Sequence, residues 1–323
     1  MALIYVTRQI PDVGLAALRA AGHELVVSEK DGVLTHSELL AAVALRPYEA
    51  IVSLLTDQID VSVLAVAPQL CIVANYAVGY NNISLTAMNA KNIMVTNTPG
   101  VLTSSVAEFT LALMFALVKR IPEAERFTRA GKFEGWAPEL LLGSDVRGKT
   151  LGIVGAGRIG YDVALAAEKG LGMKVVYHDA KPSPVLEAAI SCTFHSTLET
   201  LLADSDVVSI HVPLLPTTQH LINAERLALM KPSAYLINTA RGPIIDEVAL
   251  IDALQNGVIR AAALDVFEAE PAISPVLLSL ENVIVTPHIA SATTETRDHM
   301  SQLVADNVIA FFNGATPPNV VTA

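Results

Sequence analysis

The chain has few cysteines, and this shortage argues against both a disulfide scaffold and a zinc site. Its two cysteines, Cys71 and Cys192, lie far apart in the sequence, with no C-x-x-C motif and no cluster of histidine or cysteine ligands beside them. A disulfide scaffold or a zinc site needs more cysteines or closer spacing. We therefore expect two free thiols in a reducing compartment, and no bound metal.

Long apolar runs are also absent. The longest helical apolar run, Leu111–Val118, is far shorter than the roughly 20 residues that span a bilayer. The first residues, MALIYVTRQI, lack the basic start and the long apolar core of a signal peptide. We expect a soluble, cytoplasmic protein without a membrane partner.

Positive charge is scarce as well. Lys and Arg number 21 against 32 Asp and Glu, which gives a formal net charge of −11. Such a surface repels phosphate backbones, so nucleic acid is not an expected partner. Charged residues make up 16% of the chain and aromatic residues 5%, whereas Ala, Leu, Val and Ile supply most of the 52% that is hydrophobic. This composition is typical of helices packed on parallel strands, and 323 residues favour two domains.

Apolar runs alternate with helical patterns along the first third of the chain, which predicts βαβ units and a parallel sheet. The predicted strands are Leu3–Val6, Glu24–Val27, Ala50–Leu54, Leu70–Ala74 and Ile93–Thr96. The turn Asn97-Thr98-Pro99-Gly100 then predicts a crossing into a second domain. The helix predicted over residues 104–119 has Glu108 as its only charge before Lys119, so we expect it to be buried nearly all round, in the core or between domains or subunits.

A second alternation begins at Lys149 and predicts a complete dinucleotide-binding sheet of six strands. These strands are Thr150–Val154, Lys174–His178, Val207–His211, Ala234–Asn238, Ala261–Asp265 and Val283–Thr286. A last helix is predicted over Glu295–Phe312 and is expected to return to the first domain. The fold class is therefore α/β with two doubly wound parallel sheets. The expected substrate domain covers residues 1–99 and 290–323, and the dinucleotide-binding domain covers residues 100–289.

The segment GKTLGIVGAGRIG contains G-x-G-x-x-G as Gly155, Gly157 and Gly160, directly after a strand and at the start of a helix. These glycines suit a tight turn, close approach to a pyrophosphate, and close helix–strand packing, respectively. The next strand ends at Asp179, whose carboxylate suits ribose hydroxyls and repels a 2′-phosphate. We therefore expect NAD to be preferred over NADP; the alternative is that Asp179 only caps a turn.

Three reactive side chains follow strand-like runs near the end of the chain: Arg241 in NTARGP, Glu270 in LDVFEAEP and His288 in TPHIAS. Parallel strands place their carboxyl ends at one edge of a sheet, so these residues should converge. A guanidinium can bind a carboxylate through two hydrogen bonds, and a histidine can exchange a proton with a carbonyl oxygen. Glu270 is expected to raise the pKa of His288, so that reduction fails as pH rises through that pKa. Together they predict reduction of a 2-keto acid.

Other polar positions are less specific. Asp265 could bind the nicotinamide carboxamide or hold the loop that carries Glu270, and His211 and Pro213 end a strand near the expected nicotinamide-side ribose. In the first domain, the N–H groups of Val78 and Gly79 could form a small anion-binding nest. Leu55 could line the same pocket, which suits a small substrate. The remaining histidines show no constellation and are interpreted as ordinary; they are His23, His36, His178, His195, His220 and His299.

Over nearly its whole length the chain resembles the D-isomer-specific 2-hydroxyacid dehydrogenase family. The matching segments are NYAVGYNNIS, GKTLGIVGAGRIG, HVPLLPTTQHLIN, INTARGPIIDE, ALDVFEAEP and TPHIAS. The resemblance implies NAD(P)-dependent interconversion of 2-keto and D-2-hydroxy acids in a cleft between two domains. It implies Arg241 as substrate clamp, His288 as acid/base and Glu270 as the partner of His288. It also implies a homodimer built partly on the 104–119 helix.

Within the family, NYAVGYNNIS and FEGW are most similar to the glyoxylate/hydroxypyruvate reductase branch, where Trp136 either reaches the partner's cleft or packs in the dimer. Beside the glycine loop and the positions above, the expected cofactor contacts are Arg158, Ile159, Thr218, Thr239, Ala240 and Ala290. The alternatives are a D-lactate or other D-2-hydroxyacid dehydrogenase, an NAD(H)-sensing binding protein, and a phosphite dehydrogenase, which carries a lysine where this chain has Val78.

Overall fold

The computed structural model describes residues 1–322, which form two compact units. The first unit contains residues 1–102 together with the chain from Ala292 onward, and the second contains Thr103–Ser291. Among the described residues, no helix combines the length and the apolar character needed to cross a bilayer. No group of three or more His, Cys, Asp or Glu side chains in this part of the chain could hold a metal ion.

The first unit is built on a five-stranded parallel sheet with the order β2-β1-β3-β4-β5. Its strands are β1 (Leu3–Val6), β2 (Glu24–Val27), β3 (Ala50–Ser53), β4 (Ile72–Asn75) and β5 (Met94–Thr96). Its first helices are α1 (Asp12–Ala20), α2 (His36–Ala44), α3 (Val61–Val66) and α4 (Leu85–Ala90). Consecutive residues of β3, Ile51 and Val52, point to opposite faces of the sheet and are both fully buried, because helices cover both faces.

The last helix, α13 (Thr294–Phe312), packs on α1 of this first unit. Gly14 permits the contact, since a Cβ at that position would lie 2.0 Å from the backbone oxygen of Ser301. The Ser301 hydroxyl donates to the Pro11 carbonyl at 2.6 Å and accepts from the Gly14 N–H at 3.2 Å. The two helices are therefore held by backbone proximity as well as by apolar burial.

The second unit is built on a seven-stranded parallel sheet with the order β12-β11-β10-β9-β6-β7-β8. Its strands are β6 (Thr150–Val154), β7 (Lys174–His178), β8 (Cys192–Phe194), β9 (Val207–Ile210), β10 (Tyr235–Asn238), β11 (Ala261–Leu264) and β12 (Val283–Val285). Its helices are α5 (Thr103–Val118), α6 (Ile121–Arg129), α7 (Arg158–Leu171), α8 (Pro184–Ala189), α9 (Leu198–Asp204), α10 (Ala224–Leu227), α11 (Glu247–Gln255) and α12 (Pro275–Ser279), with a 3₁₀ turn at Gly242–Ile244.

Two apolar clusters cover the two faces of this sheet. Leu236 of β10 belongs to one cluster, whereas its neighbours Tyr235 and Ile237 belong to the other. Burying one such side chain stabilises the fold by roughly 1.5–3 kcal/mol. The expected fold class, two doubly wound parallel sheets, is confirmed.

One prediction about this unit is wrong. The sheet has a seventh strand, β8, which pairs with β7 at the edge and is only three residues long. Its side chains are at most half-buried, so the sequence carries no apolar run that marks it. Within the single chain, helix α5 exposes Glu108 and Ala112, while Val106, Thr110 and Leu117 are buried. Burial of its remaining side between subunits stays a prediction.

Candidate active site

The three predicted reactive residues lie on turns that follow three neighbouring strands. Arg241 follows β10, Glu270 follows β11, and His288 follows β12. Because these strands are parallel neighbours, their turns meet at the carboxyl edge of the sheet. Among the residues of the second unit, this edge brings together a cation, a carboxylate and an imidazole.

His288 and Glu270 form a hydrogen-bonded pair. The Nδ1 atom of His288 lies 2.9 Å from Oε2 of Glu270, and the other carboxylate oxygen accepts from the Phe267 N–H, also at 2.9 Å. The side chains are 26% and 31% exposed, so Nε2 of His288 remains on the accessible side of the pair. Burial opposes ionisation of Glu270, but the hydrogen bonds from His288 and Phe267 and the charges of His288 and Arg241 hold the pKa of Glu270 below its ordinary value.

The backbone at His288 has a φ of 55°, which is uncommon for a residue with a side chain. Asp265 holds this turn in place. Its fully buried carboxylate accepts hydrogen bonds from the Thr286 hydroxyl at 2.6 Å and from the N–H groups of Ile289 and Ala290 at 2.9 and 2.8 Å. Asp265 therefore fixes the loop that carries His288, not the loop that carries Glu270 as the sequence had allowed.

Arg241 is oriented by its own strand. The side-chain amide of Asn238 donates to the Arg241 carbonyl at 2.9 Å and accepts from the Ala240 N–H at 3.0 Å. The guanidinium donates to the Ala240 carbonyl at 2.7 Å. Burial lowers the pKa of Arg241, which Glu270 opposes, yet arginine keeps its charge at any physiological pH. A partly desolvated guanidinium at this edge suits a carboxylate ligand.

The glycine loop between β6 and α7 fits a dinucleotide pyrophosphate. Gly155 has a φ of 98°, and a Cβ on Gly160 would lie 2.1 Å from the Gly155 carbonyl oxygen, so neither position accepts a side chain. At Gly157, the N-cap of α7, a Cβ would meet nothing within 4 Å, which leaves space in front of the helix N-terminus. Helix N-termini bind phosphate through free N–H groups. Arg158 is exposed and Ile159 is half-buried at the start of the helix.

Asp179 lies beside this loop. One carboxylate oxygen accepts from the Ala156 N–H at 2.8 Å, and the other accepts from the Ala180 N–H at 2.7 Å. Asp179 thus caps its turn, as one of the two sequence interpretations held. Each of its oxygens keeps a further lone pair that can accept from a hydroxyl group. This geometry fits the adenosine ribose of a dinucleotide.

The other expected cofactor positions lie on the turn after β10, on the turn after β12, and on the loop after β9. Thr239 and Ala290, on the first two turns, are buried, and the Thr239 hydroxyl lies 3.0 Å from that of Thr110. The His211 ring nitrogen Nε2 lies 2.8 Å from the Ser209 hydroxyl, and burial lowers the pKa of His211 to about 3, which keeps the ring neutral. On the loop that follows, Pro213 is exposed and its carbonyl accepts from the Thr218 hydroxyl at 2.6 Å.

In the first unit, the expected substrate-binding residues lie on turns after β3 and β4. The amides of Asn75 and Asn97 donate to the carbonyls of Gly79 and Val78, both at 2.8 Å. The N–H groups of Val78 and Gly79 have no hydrogen-bond acceptor among residues 1–322. These two adjacent N–H groups are thus available as donors, and their role in binding an anion stays a prediction. Leu55 is half-buried two residues after β3.

The sequence interpretation overlooked His220. Its Nε2 atom lies 2.6 Å from Oε1 of Glu268, so this histidine belongs to a constellation after all. Asn238 was overlooked as well, although a polar residue at the end of the buried run AYLIN is a signal that could have found it. The partner of His220 is 48 residues away in the sequence, and no local pattern reveals it.

Comparisons with known proteins give matches over more than half of the chain. Residues 111–290 match the family model described as D-isomer specific 2-hydroxyacid dehydrogenase, NAD binding domain. The chain is 45% identical over 322 residues to a glyoxylate reductase of Thermococcus litoralis, which covers 98% of this chain and 96% of that protein.

Two solved structures are similar over nearly the whole chain. An NADPH-dependent glyoxylate/hydroxypyruvate reductase from Sinorhizobium meliloti, in complex with NADP and malonate, has a TM-score of 0.86 and 35% identity, and covers 99% of this chain and 97% of its own. A D-lactate dehydrogenase from Aquifex aeolicus, complexed with NAD and lactic acid, has a TM-score of 0.85 and 31% identity, and covers 99% of both chains.

Proposed function

Because this chain belongs to the D-isomer specific 2-hydroxyacid dehydrogenase family, we propose that it reduces a small 2-keto acid with a nicotinamide cofactor. The substrate is glyoxylate, which gives glycolate, or hydroxypyruvate, which gives the D-2-hydroxy acid. The observation that carries the proposal is the His288–Glu270 hydrogen bond of 2.9 Å beside Arg241 on the next strand end. An acid/base and a carboxylate clamp are the two groups that reduction of a keto acid requires from a protein.

In the proposed reaction, the bound nicotinamide supplies the hydride to the keto carbon. Arg241 holds the substrate carboxylate and polarises the keto oxygen. His288 donates a proton from Nε2 to that oxygen, since Nδ1 is engaged by Glu270. Glu270 stabilises the imidazolium before the transfer and fixes which nitrogen faces the substrate. In the reverse direction, neutral His288 removes the hydroxyl proton.

We assign the cofactor preference to NAD on the basis of Asp179. A carboxylate and a 2′-phosphate about 4 Å apart repel each other by about 1 kcal/mol in water and by about 4 kcal/mol near a protein surface. The Sinorhizobium meliloti relative is NADPH-dependent, so the family contains both preferences. Comparison of kcat/KM for NADH and NADPH decides between them.

A homodimer is part of the proposal. Apolar side chains after α6 are unusually exposed for a single chain: Trp136 is 85%, Phe133 58% and Leu142 57% exposed. Exposed apolar side chains that cluster in one segment mark a contact surface. The exposed side of α5, with Glu108 and Ala112, offers a second contact surface. Light scattering on the purified protein gives the mass of the assembly, and a monomer would contradict this part of the proposal.

The cytoplasmic location is supported by the two free thiols. Burial raises the pKa of Cys71 and of Cys192, which keeps both thiols protonated and unreactive.

The proposal is tested by initial rates of NADH and NADPH oxidation with glyoxylate, hydroxypyruvate, pyruvate, 2-ketoisocaproate and phenylpyruvate. Highest kcat/KM with glyoxylate or hydroxypyruvate, and a D-configured product from hydroxypyruvate, are the expected results. Preference for the branched or aromatic acids would contradict the small substrate. Absence of turnover across the panel would instead favour an NAD(H)-sensing protein, or phosphite oxidation, which the same assay detects with NAD and phosphite.

A further inference from the structure

His220 connects the two turns that carry Arg241 and Glu270. Its backbone N–H donates to the Pro243 carbonyl at 2.8 Å, two residues after Arg241. Its ring nitrogen Nε2 lies 2.6 Å from Oε1 of Glu268, two residues before Glu270. One residue therefore joins the turn after β10 to the turn after β11.

The Glu268 carboxylate is tied to a third element, the start of α11. Its Oε2 accepts from the Glu247 N–H at 3.1 Å, and Oε2 of Glu247 accepts from the Glu268 N–H at 3.2 Å. This reciprocal arrangement brings two carboxylates close together. A donor at Nε2 of His220 occupies the remaining Glu268 oxygen and offsets their repulsion, so the position of Glu268 depends on His220.

A continuous set of bonds leads from His220 to the reacting histidine. Glu268 is joined directly to Phe267, whose N–H donates to Glu270 at 2.9 Å. Glu270 in turn lies 2.9 Å from Nδ1 of His288. The backbone of His220 has a φ of 47°, an uncommon conformation for a residue with a side chain. Residues held in such conformations by their surroundings are concentrated at functional sites.

We propose that His220 is a positioning residue for keto-acid reduction: through Glu268 it sets the place of Glu270, and so of the His288 ring, relative to Arg241. The inference rests on the proposed function of the site. A displacement of about 1 Å in a reacting group lowers turnover by about 100-fold, so loss of the His220–Glu268 bond should reduce kcat by about 10- to 100-fold.

The test compares three variants of the full-length protein. His220→Leu removes the donor, and His220→Gln keeps an N–H at similar reach. His195→Leu is the matched control, because His195 also pairs with a carboxylate, Asp204 at 3.4 Å. His195 follows β8, which lies at the other end of the strand order from β10, β11 and β12. Steady-state kcat and KM, the Kd for NADH, and the ¹³C-labelled ring signals of the eight histidines are measured for each.

We expect His220→Leu to lose kcat by about 10- to 100-fold with KM and the NADH Kd changed by less than about threefold, the pattern of a lost transition-state interaction. His220→Gln should recover most of the loss, and His195→Leu should behave as the wild type. The ring signal of His288, assigned by its disappearance in His288→Gln, should shift in His220→Leu and stay in place in His195→Leu.

Wild-type kcat in His220→Leu, or an equal loss in His195→Leu, overturns the inference. Should His220→Leu not fold, Glu268→Gln takes its place with the same expectation, since it keeps the shape of Glu268 and withdraws its charge. If the wild type reduces no keto acid, the proposed function fails, and the His288 signal alone decides: an unmoved signal overturns the positioning role.

Discussion

Gly242→Ala should damage the active site through backbone contact alone. A Cβ on Gly242 would lie 1.9 Å from both the carbonyl carbon and the carbonyl oxygen of Phe267, and 2.5 Å from the Glu268 nitrogen. Non-bonded carbon atoms rest about 3.5–4.0 Å apart, so the turn that carries Arg241 must retreat by roughly 1.5 Å from the turn that carries Glu270. Both partners are backbone, and neither can rotate away.

The displacement gives two magnitudes. A shift of about 1 Å at a reacting group costs about 100-fold in rate, so kcat/KM for hydroxypyruvate should fall by at least about 100-fold. Forcing an extra carbon into a packed site costs about 1–3 kcal/mol of stability. Initial rates with NADH and urea unfolding followed by circular dichroism measure the two effects in the same preparation.

Gly170→Ala is the matched control. Gly170 lies near the end of α7, where a Cβ would meet nothing within 4 Å and where the backbone φ is not positive. Alanine there should leave kcat/KM unchanged and raise stability by about 0.5–1 kcal/mol, because glycine weakens a helix interior. Wild-type kinetics in Gly242→Ala would refute the reasoning, since the two turns would then tolerate separation. A loss of stability with normal kcat/KM would refute its catalytic half.

Four other changes have defined outcomes. His288→Ala should remove most turnover while NADH binding, measured by fluorescence titration, stays intact; near-normal kcat would contradict the acid/base role. Asp179→Ser should raise kcat/KM for NADPH relative to NADH by about fivefold or more, because the change removes about 1–4 kcal/mol of repulsion between the carboxylate and the 2′-phosphate; an unchanged ratio would show that Asp179 only caps its turn. Asn238→Ala should lower kcat/KM and cost about 1–3 kcal/mol, because the Ala240 N–H and the Arg241 carbonyl lose their partner; calorimetry and initial rates read both. Finally, the pKa of Glu270 is lower in the folded state than its ordinary 4.5, so the unfolded chain takes up the proton first as pH falls below that value. The stability from Glu270 is therefore present above pH 4.5 and lost in acid, and Glu270→Gln should unfold with a weaker dependence on acid pH than the wild type; equal dependence would contradict the ion pair.

The sequence predicts most strands of this fold because its apolar runs are short and sharply bounded. Strands β1, β2, β6 and β7 have the predicted bounds, and the other predicted strands differ by one or two residues at one end or, for β4, at both ends. Strand β8 was not predicted, because the edge of a sheet needs no apolar run. The exposed side of α5 carries Glu108, the only charge that this helix has before Lys119.

The reactive residues were recognisable for a related reason: strand ends are local features, and parallel strands bring them to one edge. Their supports were not recognisable. Asp265 was placed near the site, but the sequence could not show that it holds the His288 turn. The role of Gly242 depends on Phe267, and that of His220 on Glu268, contacts between distant segments that only the folded sheet creates.

The return of α13 to α1 determines the order in which the ribosome can complete the two units. Gly14 and Ser301 are 287 residues apart in the sequence. All of residues 103–291 is therefore synthesised after the sheet of the first unit and before the helix that covers α1. Translation at about 5–20 residues per second takes roughly 10 to 40 s to cross such a segment. At the end of that interval the second unit has its complete sequence, while the earlier-made unit still exposes the face of α1 around Gly14. The half of the protein that is synthesised first is therefore the half that finishes folding last.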